Sequence, residues 1–255
     1  MNRVELLDAR PRIVHEARLS SASLKALMRN EILAIRIPKF LSLAETEAVE
    51  HAIREVGVEY YVGDTKADTQ ERKGKIGPNL YRFKNDIPAY FERARSFERH
   101  DRPRLFKRID VPGRFFDALR AAHGPYGTVE QACSSSGGPL STCTVRDLPS
   151  APPHFDWIRG ELPHFDAFSR LTDQFAWNIY VSVGQRGGAT LIYGTQDPAE
   201  ALAMDTPSLT LPPQRGDLLL FRARNVHAVE AAEGERLTVS GFWGPTTDER
   251  LLYWI

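Results

Sequence analysis

The chain of 255 residues has little cysteine, no excess charge of either sign and no long apolar run. Its two cysteines exclude a disulfide framework and a zinc site built from thiolates. Lys plus Arg and Asp plus Glu both number 33, whereas a dominant nucleic-acid partner requires a basic excess. No segment approaches the roughly 18 consecutive apolar residues of a membrane span, and residues 1–12 lack the apolar core of a signal peptide. We therefore expect a cytoplasmic protein without a membrane or nucleic-acid partner.

Hydrophobic residues make up 42% of the chain, which is enough for one sizeable core. We expect a single domain over residues 1–255, with a helical support and a lid region over 1–125 and a β core over 126–255. Helices are predicted over 20–29, 42–56 and 114–122, and a strand over 33–38. Helix 42–56 is predicted because Ser42 and Glu45 have capping-box spacing. The polar segment 61–90 is too charged to pack, and it is equally compatible with a solvated loop and a mobile lid.

The second half of the chain contains short β-type runs separated by Gly, Pro and Asp. These runs cover residues 141–146, 175–182, 189–193, 209–211, 217–221 and 236–243. Regularly spaced short strands predict a sandwich, barrel or jelly roll. The fold class is therefore mainly β, with the N-terminal helices packed on one outer face of the sheets.

His154, Asp156 and His227 form a candidate metal-binding set. Residues i and i+2 of a strand point to the same face, so His154 and Asp156 can bind one metal from one side. His227 from a distant strand completes a triad of two histidines and one carboxylate, which leaves three positions open and suits Fe(II) oxygen chemistry better than zinc. The same H-x-D spacing recurs at His164 and Asp166. Alone, either pair is more typical of a surface turn, and His227 of a buried structural histidine.

Arg236 follows His227 by nine residues and opens a predicted strand. A guanidinium grips a carboxylate through two parallel hydrogen bonds, so Arg236 can bind the far end of a dicarboxylate cosubstrate such as 2-oxoglutarate. Thr238 and Ser240 share its strand face, and Thr238 adds a hydroxyl donor beside the arginine.

Together these features resemble the Fe(II)/2-oxoglutarate-dependent oxygenases over roughly residues 140–244. The motifs that carry the resemblance are PHFD at 153–156, WNIYVS at 177–182, GGAT at 187–190, PQRGDLLLF at 213–221, His227 and RLT at 236–238. The resemblance implies a double-stranded β-helix, the cupin-like jelly roll, as the catalytic core over 126–255. It also implies Fe(II), 2-oxoglutarate and O₂ as the cofactor and cosubstrates, and oxidation of a C–H bond with release of succinate and CO₂.

The resemblance also separates the two H-x-D pairs. His154 lies 33 residues before Gly187, a spacing typical of relatives, whereas His164 lies 23 residues before it. His154 and Asp156 are therefore preferred as ligands. Asn178 and Tyr180 share a strand face at the position where relatives contact 2-oxoglutarate, although Tyr180 is equally compatible with a core residue.

Three further residues are candidates for substrate contacts. Arg146 precedes the metal motif and can hold a substrate anion, although most arginines are surface residues. Trp157 directly follows Asp156, and Trp243 ends a predicted strand. Either tryptophan can wall a substrate pocket or simply pack in a core.

Within the superfamily, the chain is most similar to small bacterial enzymes that hydroxylate or halogenate free amino acids and natural-product intermediates. Halogenating members have a small residue in place of the metal carboxylate, and Asp156 departs from that pattern. We therefore expect hydroxylation, or a related desaturation, of an unactivated C–H bond in a small molecule. Two alternatives remain: a protein or peptide hydroxylase, and a non-catalytic jelly-roll binding module. A non-catalytic module is expected to have lost a ligand or the arginine.

Overall fold

The computed structural model describes residues 12–62, 72–125, 127–204 and 207–255. Its strands are β1 (Ile13–His15), β2 (Ala34–Ile37), β3 (Glu59–Val62), β4 (Arg72–Ile76), β5 (Val129–Gln131), β6 (Cys133–Ser134), β7 (Gly138–Pro139), β8 (Thr144–Asp147), β9 (Ala151–His154), β10 (Phe175–Tyr180), β11 (Thr190–Ile192), β12 (Leu209–Leu211), β13 (Leu218–Arg222), β14 (His227–Val229), β15 (Leu237–Pro245) and β16 (Leu251–Trp254). Its α-helices are α1 (Ser21–Met28), α2 (Leu43–Val56), α3 (Ile87–Ser96), α4 (Arg102–Leu105), α5 (Val111–His123), α6 (Ile158–Glu161) and α7 (Pro198–Ala203). Short 3₁₀ segments cover Leu80–Phe83 and Asp166–Phe168, and a π-helical turn covers Phe97–Asp101.

Two facing sheets form the jelly roll that the sequence predicts. The larger sheet has the strand order β1-β2-β13-β10-β15-β8-β4-β3, with β16 beside the end of β15 and β5 beside β16. The smaller sheet has the order β12-β11-β14-β9. Strand β15 is long enough to pair with β10 along one edge and with β8 and then β16 along the other.

Strand β15 shows how the larger sheet separates two environments. Val239 and Trp243 point to a hydrophobic cluster beneath the helices, whereas Thr238, Ser240 and Phe242 line the space between the two sheets. This alternation follows from the two-residue repeat of a strand. The polar residues of the strand are thereby collected on the side that faces the smaller sheet.

Helices α1, α2 and α5 cover the outer face of the larger sheet, as predicted. Their buried contacts come from Leu24, Leu27, Val49, Ile53, Phe115, Phe116 and Leu119. Helix α2 begins with the predicted capping box: the Glu45 amide donates to Ser42 Oγ at 3.3 Å, and the Ser42 amide donates to Glu45 Oε2 at 2.8 Å. Helix α3 packs instead in a second hydrophobic cluster, to which it contributes Tyr90 and Phe91. This second cluster also contains Phe168, Phe242 and Trp254. Among the described residues, no helix is long and apolar enough to cross a bilayer.

The expectation that segment 61–90 is too charged to pack is wrong for its described residues, which leave out 63–71, whereas the alternative of a lid stays a prediction. Strand β4 pairs with β8, and the hairpin of β3 and β4 ends the larger sheet. The charges are accommodated because aromatic rings cover them: Arg82 lies 3.9 Å and Lys75 Nζ 5.5 Å from the centroid of the Tyr61 ring. The N-terminal part of the chain therefore supplies four strands to the sheet as well as helices.

Candidate metal centre

The smaller sheet brings the three proposed ligands together. His154 ends β9 and His227 begins β14, and the two residues are direct partners in the antiparallel ladder. Their ring centroids lie 4.4 Å apart. Asp156 follows two residues after His154, and its Oδ2 lies 3.6 Å from His227 Nε2. One potential ligand atom from each residue lies within 4.8 Å of the other two, which is close enough for one ion to contact all three.

Backbone carbonyls fix the protonation of both imidazoles. His154 Nδ1 lies 2.8 Å from the carbonyl oxygen of Pro152, and His227 Nδ1 lies 2.9 Å from that of Asn225. A carbonyl oxygen only accepts hydrogen bonds, so each Nδ1 carries a proton and Nε2 is the nitrogen that can bind a metal. A metal-binding imidazole held through its other nitrogen has this arrangement. The donor set therefore fits a divalent cation.

The charges around the triad favour its metal-binding form. Burial, followed by the neighbouring His227, lowers the pKa of His154 and keeps its ring neutral. Burial opposes ionisation of Asp156, but contact with His227, together with the nearby His154 ring and the Arg146 guanidinium, holds the pKa of Asp156 below its ordinary value. A neutral imidazole and an ionised carboxylate are the states that bind a metal.

The second H-x-D pair lies elsewhere. His164 and Asp166 are both exposed, and Asp166 begins a 3₁₀ segment. The Asp166 carboxylate accepts the Ser135 amide at 2.7 Å, and hydrogen bonds from Ser135 lower the pKa of Asp166 to about 2. Asp166 thus anchors a surface turn, and its pair is separated from the cavity that His154 lines.

Arg236 is 3% exposed and reaches the same cavity as the triad. Its Nε donates to the Gly188 carbonyl at 3.0 Å and its Nη2 to Thr190 Oγ1 at 3.2 Å. Tyr180 lies beneath the guanidinium, 5.2 Å away, and its hydroxyl is hydrogen-bonded to Thr190 at 3.0 Å. Burial lowers the pKa of Arg236 from its very high ordinary value. Within the described residues no carboxylate pairs with this guanidinium, so its charge is available to an anion.

The Gly-Gly turn shapes this end of the cavity. Gly187 has φ +69°, and a Cβ there would lie 2.0 Å from the Ala231 carbonyl oxygen. Only glycine fits such a contact, and the tight turn sets the Gly188 carbonyl and Thr190 against Arg236.

The other predicted cosubstrate contacts share one surface. Thr238 and Asn178 line the cavity, and Thr238 is opposite Tyr180 in the ladder between β10 and β15. Thr190 was not among the predicted contacts, although it lies in the GGAT motif, because that motif indicates a turn and not a contact to Arg236. It also assigned no role to Ser240, whose buried hydroxyl lines the cavity without a hydrogen-bond partner.

The three predicted substrate contacts are in different places. Arg146 lines the cavity beside the triad. Trp157 does not belong to the described lining and packs at the edge of the second cluster, with the Arg224 guanidinium 4.4 Å from its ring. Trp243 does not wall the pocket and is instead a core residue. It is fully buried on the helical side of β15, where its ring stacks on Phe175 with centroids 4.5 Å apart. It lies on the other face because its strand position is odd-numbered, whereas the β15 side chains that line the cavity, those of Thr238, Ser240 and Phe242, are at even-numbered positions.

Tyr81 approaches the triad from the 3₁₀ segment, at a position where the sequence gives no signal. Its hydroxyl accepts the Gln174 side-chain amide at 2.9 Å, and its ring meets Phe242 edge-on with centroids 5.8 Å apart. Burial raises the pKa of Tyr81 well above its ordinary value, and the negative charge of Asp156 adds to that shift. Tyr81 therefore stays protonated close to the metal-binding carboxylate.

Comparison with known proteins gives concordant matches. The model of the carrier-protein-independent halogenase WelO5 family matches residues 13–255. The L-gamma-glutamyl-L-propargylglycine hydroxylase of Streptantibioticus cattleyicolor is 30% identical over 118 residues, which are 40% of this chain and 43% of that relative. The match thus spans less than half the length of this curated relative.

Solved structures share the fold at low identity. An N-substituted L-amino acid dioxygenase from Burkholderia ambifaria AMMD has a TM-score of 0.60 at 18% identity, over 92% of this chain and 91% of that one. A Trichoplax adhaerens prolyl hydroxylase has a TM-score of 0.50 at 15% identity, over 91% of this chain and 89% of that one. The chain belongs to the family of the carrier-protein-independent halogenase WelO5, and with it to the Fe(II)/2-oxoglutarate-dependent oxygenases that its motifs resemble.

Proposed function

We propose that this oxygenase hydroxylates an unactivated C–H bond of a small molecule, an amino acid or a natural-product intermediate, and releases succinate and CO₂. The observation that carries the proposal is the Asp156 carboxylate, 3.6 Å from His227 in a set of three converging ligand atoms. His154, Asp156 and His227 would hold Fe(II). The metal would supply the O₂ activation needed to oxidise a C–H bond as 2-oxoglutarate is decarboxylated.

The chain's own residues bind and orient the reactants. Arg236 holds the far carboxylate of 2-oxoglutarate, because it is a buried guanidinium without a carboxylate partner among the described residues. Thr190 accepts a hydrogen bond from the guanidinium of Arg236, and Tyr180 is hydrogen-bonded to Thr190, so both residues fix the orientation of the guanidinium. Thr238 and Asn178 line the cavity that Arg236 shares with the triad. Their arrangement suits a short dicarboxylate that reaches from the triad to Arg236.

Asp156 also decides between hydroxylation and halogenation. The matching family takes its name from a halogenase, and halogenating relatives have a small residue where this chain has a carboxylate ligand. An ionised Asp156 occupies the coordination position that a halide needs, and its negative charge repels a halide from that position. Its lowered pKa keeps it ionised at neutral pH. We therefore infer that the oxidised carbon receives oxygen or loses hydrogen and does not receive chloride.

Two relatives support an amino-acid-like substrate. The curated relative is a hydroxylase of a γ-glutamyl amino acid, and the dioxygenase from Burkholderia acts on N-substituted L-amino acids. A non-catalytic module is disfavoured because the three ligands and Arg236 are all retained. Peptide hydroxylation remains an outcome of the test.

Succinate formation tests the proposal. Purified protein with Fe(II), ascorbate, 2-oxoglutarate and O₂ should produce succinate slowly, and an amino-acid and metabolite panel should contain a compound that stimulates it and gains one oxygen or loses two hydrogens by mass spectrometry. Chloride should not be incorporated. Absence of succinate under all conditions, or stimulation by peptides alone, would contradict the proposed function.

A further inference from the structure

Arg146 is the one cavity-lining cation, among the described residues, that the proposed function leaves without a role. Its side chain is half-buried, and no hydrogen bond or ion pair involves its guanidinium within that part of the chain. Arg236, by contrast, is tied to Gly188 and Thr190. A guanidinium with five donors and no partner, facing an enclosed site, is suited to bind an anion.

The two arginines reach the cavity from neighbouring strands: Arg236 immediately precedes β15, and its guanidinium lies over Tyr180 of β10. Arg146 lies on β8 and is the direct ladder partner of Thr238. Tyr180, on which Arg236 stacks, is the partner of Thr238 on the other side, from β10. A ligand that Arg236 holds over Tyr180 of β10 therefore lies on the other side of β15 from Arg146 of β8.

Ser240 is a second, independent polar group that can bind a ligand in the cavity. It is 3% exposed and lines the cavity, and its Oγ has no hydrogen-bond partner. It lies two residues beyond Thr238 on the same strand face, in the row next to Arg146. A buried hydroxyl left unpaired is costly, so a bound polar group that pairs with it gains affinity.

The side-chain charges of the cavity also favour an anionic substrate. The described lining contains two arginines, one carboxylate, Asp156, and two histidines, which bind a metal as neutral imidazoles. When Fe(II) and dianionic 2-oxoglutarate are added, the two positive charges of the metal and the two of the arginines face three negative ones. One positive charge is left for the substrate to balance.

We infer that Arg146 and Ser240 bind a carboxylate of the primary substrate. The inference rests on the proposed function and narrows its substrate class to acids, such as amino acids with a free carboxyl group. The guanidinium grips the carboxylate while the Ser240 hydroxyl donates to it, and this contact fixes which C–H bond faces the triad. The same chemistry could come from the keto-acid carboxylate of 2-oxoglutarate, so the test must separate the two sources.

Calorimetry on the loaded protein separates them. Wild type, Arg146→Gln and Ser240→Ala are first titrated anaerobically with 2-oxoglutarate in the presence of Fe(II). Each protein, saturated with 2-oxoglutarate, is then titrated with acetate and the proteinogenic L-amino acids, and in parallel with the corresponding amides. Arg95→Gln, an exposed arginine of α3, is the matched control. Thermal melting shows whether each variant is folded.

We expect at least one acid to bind the wild type, with its amide bound at least about tenfold more weakly. Arg146→Gln should weaken the acid by about tenfold to a hundredfold, as for other hydrogen bonds to charged groups, and leave the affinity for 2-oxoglutarate unchanged. Ser240→Ala should cause a smaller loss, and Arg146→Lys should restore part of the affinity.

Three results would overturn the inference. They are weakened 2-oxoglutarate binding in Arg146→Gln, amides that bind as well as acids, and a wild type that binds none of the acids. If the wild type binds neither Fe(II) nor 2-oxoglutarate in the first titration, the proposed function itself fails, so the two failures are distinguishable.

Discussion

The two histidines of the candidate centre and Arg236 are each oriented by a contact on the far side of the side chain. The imidazoles are held through Nδ1 by the carbonyls of Pro152 and Asn225, and Arg236 is held by Gly188 and Thr190. These contacts restrict rotation before any ligand binds, which reduces the ordering cost of binding. The site is therefore preorganised at the scale of single side chains.

Arg236→Ala should weaken 2-oxoglutarate and leave metal affinity largely intact. The guanidinium is buried, and loss of a buried charge-assisted pair costs about 2–5 kcal/mol. Arg236→Lys should recover only part of the loss, because an ammonium lacks the planar fork. Calorimetric titration with 2-oxoglutarate checks both variants, and unchanged affinity in Arg236→Ala would refute the assigned role.

Asp156→Gly should abolish hydroxylation, because the variant loses a ligand and the negative charge that offsets the metal. Halide gains access to an open position, but chlorination also requires a correctly placed substrate and a halide pocket, so we expect little of it. Product analysis by mass spectrometry, with and without chloride, measures both outcomes. Hydroxylation at a near-normal rate would show that Asp156 is not a ligand.

At the scale of elements, the side chains on one face of strand β15 pack in the hydrophobic core, and those on the other face line the cavity. Trp243 stacks on Phe175 beneath the helices, whereas Thr238 and Ser240 line the cavity. Substitutions on the two faces of this strand should therefore affect different properties.

Trp243→Ala should lower the free energy of unfolding by about 3–5 kcal/mol, as expected when a fully buried aromatic side chain is removed. The folded fraction should keep its affinity for 2-oxoglutarate, because no part of Trp243 faces the cavity. Urea unfolding and ligand titration measure the two effects. Thr238→Val is the comparison on the other face: weaker 2-oxoglutarate binding with little change in stability is expected, and the reverse pattern would contradict the assignment of faces.

The capping box of α2 makes a pH-dependent contribution to stability. A hydrogen bond from Arg114, followed by one from the Ser42 amide, lowers the pKa of Glu45 from 4.5 to about 2. A carboxyl group whose pKa is lowered by folding stabilises the native state above its unfolded pKa and loses this effect as the pH falls toward the folded value. We expect Glu45→Gln to cost about 0.5–1 kcal/mol at neutral pH, since the pair is partly exposed. The difference from wild type should vanish as the pH approaches 2; a difference independent of pH would contradict this account.

Local chemistry explains which elements the sequence predicts. The capping box of Ser42 and the short β-type run of β10 are local signals, and both elements form close to the predicted bounds. The hairpin of β3 and β4 was not predicted, because its charged residues depend on ring contacts and on pairing with β8, which are long-range. The opposite faces of Thr238 and Trp243 could be read from parity within one strand, whereas the position of Tyr81 depends on how the 3₁₀ segment packs against the sheet.

At the scale of the whole molecule, the two sheets contribute different residues to the site. The smaller sheet carries His154 and His227 as ladder partners, and the larger sheet carries the polar row that includes Arg146 and Thr238. Arg236, just before β15, reaches across to Thr190 of the smaller sheet. The cavity between the sheets thus brings the candidate metal ligands of the smaller sheet to the same space as the two arginines proposed to bind anions.

The central claim is that one H-x-D pair binds iron with His227, and the duplicated pair supplies a matched control. Anaerobic Fe(II) titration of His154→Ala and His164→Ala, side by side, tests it directly. We predict that His154→Ala loses iron binding and all succinate formation, because the metal needs all three converging ligands. His164→Ala should keep both, since His164 is exposed beside a separate turn. Loss of iron in His164→Ala together with its retention in His154→Ala would contradict the account.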